Sequence, residues 1–335
     1  MGRRTWRPAV LALLLVGLPA RALAQQMTAD QLPKGPLPMT SDQLPRMQVG
    51  SGVVEQPSAP QPAFSPIESS VGFIDSAIPR TQARLRFDLN YDDRRPTRAE
   101  FLYPKGGVFG ARGMPLPESR VDAQDFTPYV EVAFTPRFGV FMEQPLRWVN
   151  PRVNDNEGGG PSDFNFGFKY AFVSESALVA TFQFRLFVPI AQQHYMGTGH
   201  WMFEPATLVN YRITDFLTLE GECRWSFPAG AQDFAGDVLR YGLGLSYGQR
   251  SASEIWVTPV AEVIGWTVMS GQAQVVRPNG TFDIEDAGGT TIISAHLGVR
   301  LGLGDRADFF AGYGRALTGP AWYRDMARFE FRFFF

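Results

Sequence analysis

Cysteine is almost missing from this chain. Cys223 is the only one in 335 residues, which rules out an internal disulfide and a cysteine-built metal site. Histidine is nearly as scarce: of the three, His194 and His200 share one loop with no other strong ligand beside them, so neither a metal nor any other cofactor is expected. No stretch beyond the N-terminus approaches the roughly 18 apolar residues that a transmembrane helix needs. Surplus positive charge is absent too. The first 24 residues hold four of the 31 basic residues and no acid, leaving 27 basic against 33 acidic residues, a net of −6. That balance does not suit a nucleic-acid-binding protein.

What is present begins with an export signal. "MGRRTWRP" is a basic start, "AVLALLLVGLPA" is an apolar run too short to span a bilayer, and Ala22-Leu23-Ala24 offers a small-x-small cleavage site. Residues 1–24 therefore read as a cleaved secretory signal. Arg3-Arg4 hints at twin-arginine export, but a chain that must be threaded unfolded favours the general secretory route. Residues 25–80 are rich in Pro, Gln, Ser and Gly and have no clean period. They read as an extended, mostly disordered leader, first of all a floppy tail, with crossing the periplasm, sitting in a pore or touching a partner as the alternatives.

From residue 81 to 335 an alternation of period two recurs. Twelve strands are expected, at 83–91, 126–135, 137–147, 163–173, 177–188, 201–213, 216–227, 238–248, 254–266, 291–302, 307–315 and 326–335. "DFNFGFKYAF" sets Phe164, Phe166, Phe168, Tyr170 and Phe172 against Asn165, Gly167, Lys169 and Ala171, and 137–147 alternates least well. Connections alternate strictly between long (92–125, 148–162, 189–200, 228–237, 267–290, 316–325) and short. Long loops at one end and tight turns at the other are the habit of an outer-membrane barrel. Such a barrel has an even strand number with both ends in the periplasm, and it must close, because an open edge in hydrocarbon leaves backbone groups unpaired at several kcal/mol each. The expected fold is all-β: a transmembrane antiparallel up-and-down β-barrel of about twelve strands behind a disordered leader, pairing its last strand with its first. About 10 residues at about 3.3 Å each, tilted by about 40°, cover roughly 25 Å of apolar band.

The chain ends on "ARFEFRFFF". Phe329, Phe331, Phe333 and Phe335 then face lipid while Arg328, Glu330 and Arg332 face inward, and only Phe334 departs from the alternation. This final strand resembles the sorting signal read by barrel-assembly machinery in Gram-negative-type outer membranes. The resemblance implies that machinery, with periplasmic chaperones, as partners, and an outer-membrane destination. "GGGPSDFNFGFKYAF" (158–172) and "GTGHW" (197–201) are similar to motifs of the phenol-degradation meta-pathway family of transporters, with the likeness best across about 158–227. That resemblance implies an outer-membrane transporter for small aromatic or apolar molecules.

Inward-facing charge is the expected functional feature: Arg84, Arg86, Asp88, Lys169, Arg185, Glu220, Glu222, Arg224, Arg240, Glu262, Arg300, Glu330 and Arg332 as lumen-lining residues. Rings of charge in a pore set solute preference. A structural ion-pair network that fills a narrow barrel is the plainer reading, because charges of both signs are interleaved. "LEGECRW" (219–225) places Glu220, Glu222 and Arg224 on one face and is the expected constriction wall. Ser294 and His296 are same-face neighbours, yet nothing supplies the orienting third group of a catalytic triad. Cys223 shares the lipid-facing register of Trp225 and reads as a small buried hydrophobe. Trp148, Trp201, Trp225, Trp256, Trp266 and Trp322, with Tyr170, Tyr211, Tyr247 and Tyr323, read as aromatic girdles at the membrane interfaces. "GGGPSD" leads into a strand rather than a helix, so it is no phosphate cradle. Three functions stand at this point. One is passive passage of a small solute through a monomer or trimer. The second is a structural or adhesin-like surface barrel with a blocked lumen. The third is a lipid hydrolase.

Overall fold

The computed structural model describes residues 68–93, 121–153, 158–191, 196–230, 235–248, 255–277, 279–319 and 321–335. The export signal at 1–24 lies outside them. So do most of the leader, His194 and much of the loops at 92–125, 189–200, 228–237 and 249–253.

Sixteen strands form in chain order: β1 Gln82–Asp93, β2 Val121–Thr135, β3 Phe138–Glu143, β4 Leu146–Pro151, β5 Gly158–Pro161, β6 Phe164–Ser174, β7 Leu178–Val188, β8 Trp201–Arg212, β9 Leu217–Ala229, β10 Val238–Tyr247, β11 Ile255–Val268, β12 Gln272–Val276, β13 Phe282–Asp286, β14 Thr291–Leu303, β15 Ala307–Ala316 and β16 Asp325–Phe334. Fourteen belong to one antiparallel sheet, and β12 and β13 pair only with each other. Within the sheet, β3 and β4 both pair with β2, and β5 and β6 follow them as consecutive pieces of the next stave, so the wall counts twelve staves. β1 pairs with both β2 and β16, in register from Gln82↔Phe334 to Tyr91↔Asp325, and the barrel is closed.

All twelve expected strands are present within a few residues, with three refinements. The expected strand at 137–147 is interrupted at Gln144-Pro145, because Pro145 has no N–H for the ladder. The chain resumes as β4, and Ser162 N donates to Pro145 O at 2.9 Å. β2 starts at Val121 rather than 126, lengthening the wall into a stretch expected to be loop. The long loop at 267–290 carries its own hairpin, β12–β13, in which Arg277 Nη2 reaches Asp283 and Glu285 at 2.7 Å each. That hydrogen bond lowers the carboxyl pKa of Asp283 below its ordinary value.

The wall alternates as a pleated strand must. Along β10, Tyr241, Leu243, Leu245 and Tyr247 are exposed while Gly242, Gly244 and Ser246 are buried. Leu243 is 61 % exposed, Leu297 68 % and Phe134 66 %, an apolar exterior far too extensive for water and suited to hydrocarbon. Cys223 is exposed on this outer face rather than buried. Polar and charged groups go inward: Arg224, Arg300, Glu204 and Asp308 are among the most buried side chains.

The girdle expectation needs correcting. Trp148, Trp201 and Trp225, with Tyr170, Tyr211 and Tyr247, are exposed on the outer face, but Trp256, Trp266 and Trp322 are buried. Trp256 and Trp266 share the inward parity of Glu262 on β11, and Trp322 folds inward from the loop before β16 to meet Trp266 edge-on at 6.1 Å. Phe334 also turns in, and the guanidinium of Arg80 lies 3.7 Å from its ring centroid, which explains its break with the outward-facing phenylalanines.

Candidate functional site

Residues 68–80, expected as the tail of a disordered leader, are ordered and lie inside the barrel. Val71, Phe73, Ile74 and Ala77 are buried. Val71, Phe73 and Ile74 make an apolar cluster with Val260, Ile264, Ile292, Phe310 and Met326, and Ala77 packs in a second one with Ala171, Val179, Ala206 and Leu208, so a barrel whose inner face reads as polar acquires a hydrophobic core. Room for it comes from glycine. A Cβ at Gly244 would stand 2.6 Å from Val71, and one at Gly242 would stand 3.2 Å from Ile74. The Gly-x-Gly of "LRYGLGLSYG" is therefore a seat for the inserted chain.

The segment bends at 72–74 and 77–78 and lies outside the sheet, so it has no ladder of its own and every buried N–H and C=O needs an outside partner. Charged side chains of the wall supply them. Glu262 Oε1 accepts from Gly72 N at 2.9 Å and Phe73 N at 3.2 Å, while its Oε2 accepts from Phe73 N at 3.0 Å and Ile74 N at 2.9 Å. Glu220 Oε1 accepts from Ser70 N at 2.9 Å and Val71 N at 3.3 Å, and Glu222 Oε2 from Asp75 N at 3.3 Å. Arginines serve the carbonyls. Arg332 donates to Ser69 O at 2.8 Å, Arg300 to Ser70 O at 2.8 Å and Val71 O at 2.7 Å, Arg328 to Gly72 O at 2.8 Å and Arg240 to Phe73 O at 2.6 Å. Carboxylates thus meet the amides of 70–75 and guanidiniums meet the carbonyls of 69–73.

Asp75 is the electrostatic anchor. Its carboxylate sits 2.7 Å from Arg185 Nη2, 2.8 Å from Arg224 Nη2 and 4.0 Å from Arg84 Nη1. Further down, Thr181 donates to Ala77 O, and Arg80 N donates to Glu131 Oε1 at 3.2 Å. Glu131 also holds Lys169 Nζ at 3.1 Å and Tyr129 Oη at 2.7 Å.

The candidate residues from the sequence fall into three groups. Glu220, Glu222, Glu262, Arg240, Arg300 and Arg332 grip the inserted backbone, and Arg84, Arg185 and Arg224 surround Asp75. Lys169, Asp88 and Glu330 pair within the wall: Asp88 with Arg328 at 2.6 Å, and Glu330 with Arg300 at 2.9 Å. Arg86 stands apart, with Asp88 at 3.4 Å as its nearest counter-charge. Inward-facing Glu131, Glu143, Glu204 and Asp308 were not singled out, although their strand parity placed them on the same face. Asp75 had no sequence signal, because the leader carries no period.

Ser294 and His296 are both buried, and no triad forms around them. His296 Nε2 lies 2.9 Å from Tyr323 Oη, and its ring centroid is 4.1 Å from that of Phe73. Glu262 faces His296 across the ladder, but its oxygens are occupied by the inserted backbone. Burial raises the Tyr323 hydroxyl above the ordinary tyrosine range.

On the long-loop side of Phe73 lies a cavity of about 250 Å3. Two sequence motifs roof it. Asp163, from "GGGPSD", accepts from Thr198 N at 2.6 Å, and Ser162 Oγ donates to Met196 O at 2.6 Å. A Cβ at Gly197, from "GTGHW", would lie 2.2 Å from Asp163 Oδ1, so the fold of 196–198 over the mouth depends on that glycine.

No protein-family model matches the chain, and no curated protein matches it by sequence. Among solved structures, an outer membrane channel from Pseudomonas putida F1 is similar at a TM-score of 0.51 and 10 % identity, over 80 % of this chain and 100 % of that one. The NanC porin aligns at a TM-score of 0.47 and the KdgM porin at 0.43, each at 10 % identity over 76 % of this chain and 100 % and 99 % of theirs. The first likeness, at that identity, is one of fold: an outer-membrane-type β-barrel.

Proposed function

We propose that this chain is an outer-membrane channel of a Gram-negative-type bacterium, passing small solutes passively through a lumen gated by its own residues 68–80. The observation that carries this reading is the way the inserted segment is held. Its backbone is bound by side chains of the wall and takes no part in the sheet. A segment integral to the barrel would add a strand. One bonded only through side chains can leave while the wall keeps every ladder bond, and a low-stability element of that kind is what a gate requires.

No covalent chemistry enters this reading, and Ser294 and His296 serve packing around Phe73. The solutes are small aromatic or apolar molecules, in line with the resemblance of 158–227 to the phenol-degradation meta-pathway transporters. Phe329, Phe331, Phe333 and Phe335 on the closing strand serve as the signal for barrel-assembly machinery.

Conductance across a planar bilayer tests the gate. An Ile74→Cys/Gly242→Cys pair, placed where a Cβ at 242 would stand 3.2 Å from Ile74, should lock the segment when oxidised. Current and liposome swelling with a graded solute panel should fall on oxidation and return on reduction. A second reading, a plugged surface scaffold, draws on the apolar cluster around Val71, Phe73 and Ile74. It predicts no solute passage in either redox state.

A further inference from the structure

The cavity beneath the 196–198 loop has two unlike walls. One is apolar and aromatic, built by Phe73, Ile264, Trp266, Trp322 and Met326. The other carries the guanidiniums of Arg86 and Arg147, while two more stand beside the aromatic groups: Arg240 pairs with Trp266 across the ladder, and Arg328 lies 4.6 Å from the Phe73 ring centroid. Three of the four are matched. Arg147 binds Asp125 through two nitrogens at 2.6 and 2.9 Å. Arg328 binds Asp88 the same way at 2.6 and 2.7 Å. Arg240 donates to Phe73 O at 2.6 Å and lies 2.9 Å from Glu222.

Arg86 is not matched. Its closest counter-charge, Asp88 Oδ2, is 3.4 Å away and already accepts from Arg328 at 2.7 Å. Its Nε makes no hydrogen bond, and its side chain is 17 % exposed, toward the cavity that it lines. The acids that share the cavity make their closest contacts with other groups, although Glu143 also attracts Arg86 electrostatically. Asp125 and Asp88 hold Arg147 and Arg328, Asp163 holds the Thr198 amide, and Glu143 lies 3.4 Å from Arg84 and 3.5 Å from Arg185. A guanidinium withdrawn from bulk water without a partner is costly, and its planar fork matches a carboxylate through two parallel hydrogen bonds.

We propose that this cavity is a binding site for a small aromatic monocarboxylate, its carboxylate on Arg86 and its ring against the Phe73, Trp266 and Trp322 side. Size agrees: about 250 Å3 falls just under the roughly 300–1,000 Å3 of sites for drug-sized ligands and suits a single ring with one short substituent. The ring rests on Phe73, a residue of the inserted segment, so occupancy bears directly on the element that blocks the lumen. The inference deepens the channel reading, from which it takes the route by which such an acid arrives.

Calorimetric titration of the full mature protein in detergent tests the site, with benzoate as probe and benzamide and inorganic phosphate as comparators. Benzoate should bind saturably and at least tenfold more tightly than either comparator. Arg86→Gln should lose at least tenfold for benzoate and leave benzamide unchanged. Met326→Trp, which fills the cavity, should abolish both. Heat-modifiable gel migration verifies that each variant is folded, and the wild-type comparison of benzoate with benzamide stands without any variant. Absence of saturable benzoate binding, equal affinity for benzamide or phosphate, or an unaltered Arg86→Gln would overturn the proposal. Bilayer current from the same preparations separates the two readings. Current without benzoate binding refutes the site alone, and benzoate binding by a barrel that never conducts refutes the channel while the site stands.

Discussion

Replacing Glu262 by alanine should loosen the inserted segment without unfolding the barrel. The carboxylate accepts four contacts of 2.9 to 3.2 Å from the amides of Gly72, Phe73 and Ile74. Each buried N–H left without an acceptor costs about 1–3 kcal/mol, so the three together lose about 3–9 kcal/mol. Water entering the vacated side-chain volume restores part of this, and the low end of about 3 kcal/mol is the better guide. Val71, Phe73 and Ile74 still bury their side chains, worth at most about 1.5–3 kcal/mol each, so the segment stays docked most of the time. The equilibrium toward release should nevertheless shift by about 100-fold, at 1.4 kcal/mol per factor of ten. The wall keeps its thirteen-pair ladder between β11 and β14, since only the side chain changes. Single-channel recording in planar bilayers reads this as openings roughly 100-fold more frequent, at unchanged open-state conductance. Glu262→Gln should behave similarly, because one of its two terminal atoms becomes a donor facing donors. An opening frequency equal to wild type in both variants, with correctly folded barrels, would refute the claim that the carboxylate holds the gate.

Three other perturbations probe different parts of the molecule. Leu243→Arg places a charge on the outer face near mid-strand and should destabilise the folded barrel in lipid by about 2–4 kcal/mol, read by urea titration of vesicle-refolded protein, whereas Leu243→Phe should be near neutral. Gly197→Val drives a side chain into Asp163 and should displace the 196–198 roof, weakening benzoate binding in calorimetry while heat-modifiable gel migration stays normal. Deleting Phe335, which is 86 % exposed at the end of the closing strand, should slow assembly into the outer membrane in cells but leave detergent refolding of the purified chain at its wild-type rate.

The inserted segment also accounts for the density of buried charge. A buried ion pair seldom improves on a well-packed apolar pair in stability, and its usual service is to select one arrangement. Here the arrangement is a register. Glutamates on β9 and β11 match N–H groups, arginines on β10, β14 and β16 match carbonyls, and Asp75 falls among Arg84, Arg185 and Arg224. A shift of the segment by one residue would take the Asp75 carboxylate out from among Arg84, Arg185 and Arg224 and move Val71 and Ile74 off their glycine seats.

The wall of this protein is local information. A strand sends successive side chains to opposite sides, so Leu243 and Gly242, or Phe329 and Glu330, declare their faces by parity alone, and the alternation of long and short connections orders the staves around a closed ring. Even the interruption at Gln144-Pro145 has a local cause in the missing N–H of proline. What fills the ring has no such mark. Ser69 to Asp75 show no period, because a bent segment bonded by side chains from several staves repeats nothing along its own length. The partners of Gly72, Phe73 and Ile74 sit 188 to 190 residues away on Glu262. Parity points Glu262, Arg300 and Trp266 inward, but only closure of the barrel brings those faces within hydrogen-bond reach of one another and of the chain between them. The same closure turns a list of inward charges into a grip on the end of the leader, and leaves Arg86 lining a cavity.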